Sequence, residues 1–206
     1  PILNSSRDRY FQTRGIRRGA LVHPLPRPAA PLDHAALGID AFMAENRVGG
    51  LLILKDGAIR VERYGLGLDE RTRWYSYSVG KSVASTLVGA AIRQGAIGGV
   101  EDPVTHYLPE LAGTGYDGAT IRNLLQMSSG VAWDEAYRSG ESDFARYFNA
   151  VLEGRPGGVM AVMGGLKRAV APGSRFLYSS GETYLLGAIV TAATGQTLSD
   201  YLSERI

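Results

Sequence analysis

The sequence lacks cysteine altogether and contains no long hydrophobic run. Without cysteine the chain forms neither a disulfide nor a thiolate metal site, and this absence leaves its cellular compartment open. No apolar stretch reaches the roughly eighteen residues expected of a membrane-spanning helix. The formal net charge is only +2, with 20% charged residues, so no basic footprint for nucleic acid is indicated. We therefore expect neither a membrane span nor a nucleic-acid partner.

Lysine is scarce as well, with three residues against nineteen arginines. One of the three, Lys81, follows Ser78 by three positions in a segment of helical periodicity. On a helix this separation brings a hydroxyl and an amine onto one face. A serine hydroxyl becomes a nucleophile when a neighbouring base takes its proton, and a lysine amine of lowered pKa can be that base. The pair therefore indicates a serine acyl-transfer enzyme, although the spacing alone is a weak signal.

The helix that carries Lys81 is predicted to be buried, because its apolar residues recur at three- and four-residue intervals. A lysine on such a helix is unfavourable unless it has a partner or a lowered pKa, which favours a functional role over a solvated lysine. The apolar positions are Val79, Val83, Ala84, Leu87, Val88, Ala91 and Ile92.

Other nucleophile and phosphate motifs fit the sequence poorly. Gly80-Lys81-Ser82 matches the end of a phosphate-binding loop, but the position five residues before Gly80, where that loop needs glycine, is Tyr75. The nucleophile-elbow pattern Gly-x-Ser-x-Gly is absent from the sequence. The three histidines lie in segments without a matching serine pattern, so nothing points to a Ser-His-Asp triad, which stays open.

The chain is predicted to contain many helices and only two strands. Residues 1–30 are rich in arginine and proline and are expected to form an extended arm. Asp56-Gly57 is a hairpin turn signal between two apolar runs, which predicts strands over 49–55 and 58–66. Residues 131–165 are expected to be irregular, with glycines in mobile turns. Helices are predicted over 32–46, 78–94, 106–111, 120–127, 181–194 and 198–206.

Two strands are too few to form a stable sheet. An isolated hairpin is marginal in water, and its apolar strands need further partners. The sequence also stops at Ile206, within a predicted amphipathic helix. We therefore expect residues 31–206 to be the N-terminal part of a larger domain, whose missing strands come from a C-terminal segment or from a second chain.

Three segments together resemble the serine β-lactamase and penicillin-binding-protein superfamily. Ser78-Val79-Gly80-Lys81 matches its Ser-x-x-Lys motif, residues 121–130 resemble its helix ending in Ser-Gly, and residues 172–180 resemble the stretch with its Tyr-x-Asn motif. They stand in the superfamily's order and spacing, and the resemblance covers about residues 48–206. It implies an α+β, β-lactamase/transpeptidase-like fold, with a helical region and an antiparallel sheet of which this chain holds only the N-terminal strands.

Two features resemble one branch more closely, the esterases and 6-aminohexanoate-dimer (nylon-oligomer) hydrolases. Ser180 stands where the Tyr-x-Asn motif normally has asparagine, and that branch carries serine there. Because that asparagine normally helps to hold the substrate amide, the exchange counts against β-lactamase activity. The segment Trp133–Tyr137 resembles the branch's segment with a substrate-contacting tyrosine, while a structural loop aromatic is an equal interpretation of Tyr137. The superfamily's third motif, Lys-Thr-Gly or His-x-Gly, is absent from this sequence.

The resemblance implies a Ser-Lys-Tyr acyl-enzyme mechanism. Ser78 would be the nucleophile, Lys81 its base, and Tyr178 the residue that protonates the leaving group. Ser180 and Tyr137 would bind substrate, with Ser180 relaying a hydrogen bond to Lys81 or to the substrate. The oxyanion hole would combine the Ser78 N–H with a donor from the missing strands. Such a mechanism hydrolyses a small ester or amide and needs no metal or organic cofactor.

Two alternatives stay open on the sequence. A D-amino-acid peptidase or penicillin-binding protein would use the same residues on cell-wall peptides, and a non-catalytic sensor or binding domain would keep the scaffold without turnover. Substrate choice is expected to depend on Tyr137, on the glycine-rich residues 154–165 with Met160 and Met163, and on the missing C-terminal part.

Overall fold

The computed structural model describes residues 13–21, 23–27, 32–33 and 35–206. It divides the chain into two compact units, Pro1–Tyr77 and Ser78–Ile206. About half of the predicted arm over 1–30 lies outside the described residues, and the arm stays a prediction.

The described part of the chain has an α+β composition dominated by helices. It contains eight α-helices, one short 3₁₀-helix and one antiparallel sheet of two strands. None of these helices is long and apolar enough to span a membrane.

The first unit is built around a β-hairpin. Helix α1, Ile39–Glu45, precedes strands β1, Gly50–Lys55, and β2, Ala58–Tyr64. The strands pair antiparallel, with a register shift between Ile53 and Leu54. Asp56 and Gly57 connect the strands with φ angles of +54° and +72°. Positive φ at both central residues is the turn geometry that matches the twist of paired strands. The predicted hairpin is confirmed.

Helix α1 is shorter than the predicted helix over 32–46. It begins only at Ile39, because residues 35–38 form turns. Asp33 Oδ1 accepts hydrogen bonds from the N–H groups of Ala35 and Ala36, both at 3.0 Å. An aspartate side chain that binds the backbone in this way favours a turn over a helix.

The core of the first unit is small. Ile39, Met43 and Val61 are buried together, whereas Leu52 and Leu54 on β1 stay about half exposed. The two strands therefore bury little of their apolar surface within this unit, as expected of an isolated hairpin.

The second unit is helical and has the larger core. Its elements are α2 Val79–Arg93, α3 Val104–Tyr107, the 3₁₀-helix Pro109–Leu111, α4 Ile121–Leu125, α5 Asp143–Glu153, α6 Gly158–Gly165, α7 Ser180–Thr194 and α8 Leu198–Arg205. The two fifteen-residue helices, α2 and α7, pack against each other. Their N-terminal ends carry most of the candidate site, so this packing positions it.

Only part of α2 is buried. Leu87 and Val88 are almost inaccessible and share one core with Ile189 of α7. Each large aliphatic side chain buried in this way stabilises the fold by roughly 1.5–3 kcal/mol. Near the N-terminus of α2, Val79 and Val83 are 70% and 41% exposed. The predicted burial of this helix is therefore confirmed for its second half and wrong for its first turns.

The prediction of an irregular segment over 131–165 is confirmed for residues 131–142 and wrong for most of 143–165, because α5 and α6 lie there. The Ser142 side chain caps α5 by accepting from the Ala145 N–H at 3.1 Å. Glycine lowers helix stability by about 1 kcal/mol per residue, which is why the glycines suggested turns. In α6 the burial of Val159 and Met163 in the core offsets that loss.

Candidate active site

Ser78 and Lys81 lie at the start of α2, one turn apart. Ser78 is the N-cap residue, and its carbonyl accepts from the Lys81 N–H at 3.0 Å. The Lys81 Nζ donates to Ser78 Oγ across 3.2 Å. The Ser78 side chain is exposed and makes no capping hydrogen bond to the helix. The spacing in the sequence thus becomes direct contact between the hydroxyl and the amine.

Tyr178 approaches the same oxygen from another part of the chain. Its hydroxyl donates to Ser78 Oγ at 2.7 Å, and Lys81 Nζ lies 5.1 Å from the centre of its ring. That distance is within the range of cation–π attraction. Two proton-carrying groups therefore converge on one serine oxygen.

Backbone hydrogen bonds bring Tyr178 to this position. After α4, the Ser128 carbonyl accepts from the Gly173 N–H at 2.7 Å, and the Met127 carbonyl accepts from the Leu177 N–H at 2.8 Å. Leu177 directly precedes Tyr178, so these contacts set where the tyrosine enters the site. The end of the segment over 121–130 therefore holds the backbone before Tyr178 in place.

Gly130 allows the two chain segments, 127–130 and 169–177, to approach this closely. Its φ is +80°, and a Cβ at this position would overlap the carbonyl oxygen of Val170. The Gly130 carbonyl accepts from the N–H groups of Ala169 and Val170 at 2.8 and 3.0 Å. A side chain at Gly130 would push this segment, and Tyr178 with it, away from Ser78.

Ser180, the first residue of α7, joins the same cluster. Lys81 Nζ donates to Ser180 Oγ at 3.1 Å, so the amine lies between two serine hydroxyls. The Ser180 hydroxyl donates in turn to Glu135, and the Ser180 N–H donates to Glu135 Oε2 at 2.9 Å. The structure thus brings together Ser78, Lys81, Tyr178 and Ser180.

Tyr137 is connected to this cluster through Glu135. Its hydroxyl donates to Glu135 Oε1 at 3.0 Å, and its ring meets Phe144 edge-on with the centroids 4.7 Å apart. Desolvation and the hydrogen bond to Glu135 raise the pKa of Tyr137 to about 12, so the hydroxyl stays a neutral donor. The side chain remains 64% exposed, which leaves a fixed aromatic surface beside the site.

Glu135 was not identified from the sequence as a site residue. Its neighbours Trp133 and Tyr137 both donate to its carboxylate. In an extended segment, side chains two positions apart point to the same side. The pattern Trp-x-Glu-x-Tyr was a usable signal, because it places a carboxylate between two donors.

Met163 does not lie at the site. It is fully buried in the core, and a Cβ at Gly181 would overlap its side chain. The prediction that this methionine selects substrate is therefore wrong, because α6 turns it inward. Met160 is half-buried against the same core.

Glu182 is a second carboxylate that the sequence did not reveal. It follows Ser179 by three positions, a spacing typical of a helix capping box. The Ser179 side chain does cap α7, but the Glu182 side chain turns inward and accepts from the Ser129 hydroxyl. Glu182 is only 3% exposed, and its Oε2 has no hydrogen-bond partner among the described residues. Burial raises the pKa of Glu182 to about 7, although the Ser129 hydrogen bond lowers it in part.

The stability of the fold is expected to fall as the pH rises toward the raised pKa of Glu182. Between its ordinary pKa of 4.5 and about 7, the folded state holds a proton that the unfolded state has released. The free energy of unfolding therefore decreases across this window, by on the order of 3 kcal/mol. Glu182→Gln should remove this decrease, as measured by urea unfolding at pH 5 and pH 8. Glu110→Gln, at an exposed position, is the control, and an unchanged pH dependence in Glu182→Gln would contradict the assignment.

No metal site is indicated in the part of the chain that the structure describes. No group of three or more histidine, aspartate or glutamate side chains there is arranged to hold an ion. The carboxylates near the candidate site are instead bound by hydrogen-bond donors.

Comparison with known proteins gives a consistent family match. The family model described as Beta-lactamase matches residues 38–206. A 6-aminohexanoate-dimer hydrolase from Paenarthrobacter ureafaciens is 31% identical over 191 residues, which are 87% of this chain and 48% of that protein. A beta-lactamase from Pseudomonas fluorescens is 24% identical over 180 residues, 82% of this chain and 46% of that protein.

A solved structure supports the same fold. A proposed 6-aminohexanoate-dimer hydrolase from Bacillus anthracis superposes with a TM-score of 0.74 at 23% identity, covering 90% of this chain and 52% of that one. At this identity the likeness shows the fold alone. The chain spans about half the length of these relatives.

Proposed function

Because the chain belongs to the beta-lactamase family, we propose that it is a serine hydrolase that cleaves ester or amide bonds of small molecules through an acyl-enzyme on Ser78. The observation that carries this proposal is the position of Ser78 Oγ. It lies 3.2 Å from the Lys81 amine and 2.7 Å from the Tyr178 hydroxyl. A nucleophile within hydrogen-bond reach of a base and a second proton carrier is the arrangement that covalent catalysis requires.

In the acylation step, a neutral Lys81 amine accepts the Ser78 proton and Ser78 Oγ attacks the substrate carbonyl carbon. The bond to the leaving group then breaks, and Tyr178 supplies the proton that this group takes up. Lys81 returns a proton to Tyr178 across the same cluster. Water then attacks the acyl carbon and gives a proton to the neutral Lys81 amine. The bond between the acyl carbon and Ser78 Oγ breaks, the carboxylic acid leaves, and Lys81 passes the proton back to Ser78 Oγ.

The start of α2 favours the charge that develops during attack. A fifteen-residue helix has a partial positive charge at its N-terminus, where Ser78 lies. The Ser78 N–H is the donor that we assign to the substrate oxyanion. Removing a single oxyanion donor lowers turnover by about 10²–10³-fold in well-studied hydrolases, so its orientation matters.

The substrate class is proposed from two observations. Ser180 replaces the asparagine that the superfamily normally carries, and the relative at 31% identity is named a 6-aminohexanoate-dimer hydrolase. Both favour a linear ester or amide over a β-lactam.

A substrate panel tests this proposal in the full-length protein. A short-chain p-nitrophenyl ester, the linear 6-aminohexanoate dimer and a chromogenic cephalosporin are compared, with Ser78→Ala as background. We expect turnover of the ester or the dimer and none of the cephalosporin. A stable cephalosporin adduct on Ser78 without turnover would indicate a penicillin-binding protein instead. Acylation by every substrate without release would indicate a sensor.

A further inference from the structure

Glu135 accepts four hydrogen bonds, which is the full capacity of a carboxylate. Oε1 accepts from the hydroxyls of Ser180 and Tyr137, and Oε2 accepts from the N–H of Ser180 and from the Trp133 indole. Every lone-pair direction is therefore occupied. Glu135 has no acceptor left for a substrate ammonium group or for a proton in catalysis, so any role in the reaction is exerted through a neighbour.

Ser180 is the neighbour that connects Glu135 to Lys81. A serine hydroxyl has one hydrogen and two lone pairs. Glu135 takes the hydrogen, so Ser180 Oγ can only accept from Lys81 Nζ, which lies 3.1 Å away. A neutral amine that gives an N–H to Ser180 keeps its single lone pair free for another partner. Ser78 Oγ lies 3.2 Å from the same nitrogen. A charged amine donates across this contact, whereas a neutral amine accepts the Ser78 hydrogen there through its lone pair.

We propose that Glu135 is a positioning residue that sets the direction of the Ser180 hydroxyl and thereby aims the lone pair of Lys81 at Ser78. The inference rests on the proposed function, since it concerns the base of that reaction. It assigns Ser180 to the proton network as an acceptor for Lys81. In this state the Ser180 hydrogen is not available to a substrate.

Glu135→Gln should reverse this direction. The amide has one oxygen and one NH₂ group, so it can serve as acceptor on only one side. The N–H groups of Ser180 and Trp133 cannot turn round, whereas a hydroxyl can. The amide oxygen therefore faces the two N–H groups, and the NH₂ faces Ser180 Oγ. The Ser180 hydrogen then turns toward Lys81 and occupies the lone pair that Ser78 needs.

The test is the second-order rate at which a fluorophosphonate labels Ser78 in the full-length protein. We expect Glu135→Gln to lower this rate about 10- to 100-fold, the effect of losing a hydrogen bond to a charged group. Glu153→Gln, the same change at an exposed position on α5, should leave it unchanged. If Glu135→Gln does not fold, Glu135→Asp replaces it as the test. Aspartate keeps the negative charge, but its shorter side chain moves the carboxylate away from the Ser180 hydroxyl. The labelling rate is expected to fall by the same factor.

A double-mutant cycle separates positioning from a structural role. In a Ser180→Ala background, Glu135→Gln should lower the rate less than about threefold, because the hydroxyl through which it acts is gone. An undiminished effect in that background, or a wild-type rate in Glu135→Gln, would overturn the inference and leave the proposed function intact. A folded wild-type protein that does not label would overturn the proposed function, and the inference with it.

Discussion

Ser78→Ala is expected to abolish turnover of the best ester or amide substrate, with a loss on the order of 10⁴–10⁶-fold. Ser78 Oγ is the only atom that both Lys81 Nζ and Tyr178 OH contact in the cluster. Without it no covalent intermediate forms. Folding should be nearly unaffected, because the Ser78 side chain is exposed and does not cap α2. Steady-state kinetics and thermal unfolding on the same samples measure both effects.

Ser82→Ala is the matched control for this variant. Ser82 lies four residues further along α2 with an exposed side chain, so the same chemical change should leave turnover intact. Residual turnover in Ser78→Ala that still depends on Lys81 would show that water, and not Ser78, is the nucleophile.

Tyr178→Phe is expected to lower turnover by about 10²–10⁴-fold, the usual contribution of a positioned acid–base group. The loss should depend on the leaving group. An amide nitrogen must be protonated before it departs, whereas p-nitrophenolate leaves without a proton. The 6-aminohexanoate dimer should therefore be affected far more than the p-nitrophenyl ester. Comparison of kcat/KM for the two substrates measures this difference.

The control for Tyr178→Phe is Tyr184→Phe on α7. Tyr184 packs edge-on near Tyr147 and is not part of the contacts of Ser78. It should retain the wild-type preference between the two substrates. An equal loss on ester and amide in Tyr178→Phe would assign the proton transfer to another group.

The parts of the site that follow from local geometry were predictable from the sequence. Ser78 and Lys81 are one turn apart on one helix, so three-residue spacing is enough to place them in contact. Thr120 was predicted to begin α4, and it forms a reciprocal capping box with Asn123. The hairpin turn at Asp56-Gly57 follows for the same reason, because two adjacent residues determine its geometry.

Tyr178 lies one hundred residues from Ser78 in the chain, and no local pattern connects the two. Only the resemblance of three ordered motifs predicted that they meet. Glu135 and Glu182 had no such support. Their roles depend on hydrogen bonds to Ser180 and to Ser129, which tertiary packing brings close. The local sequence suggests a capping role for Glu182, and around Glu135 it indicates only the contacts with Trp133 and Tyr137.

In helix α6 the local sequence gave a wrong prediction, because its glycines indicated turns where packing stabilises a helix. Its sequence, GVMAVMGG, contains three glycines, and propensity alone argues against a helix. The buried faces of Val159 and Met163 stabilise it through contacts with the rest of the core. Packing of this kind is invisible to a window of neighbouring residues.

The measurement that tests the central claim most directly is intact-protein mass spectrometry after treatment with a serine-reactive fluorophosphonate. If the Lys81–Tyr178 cluster activates Ser78, the wild-type protein gains the mass of one phosphonyl group and Ser78→Ala gains none. Lys81→Ala should label far more slowly, since its serine has lost the base. An adduct of equal rate on Ser78→Ala, or no adduct on the folded wild-type protein, would contradict the account.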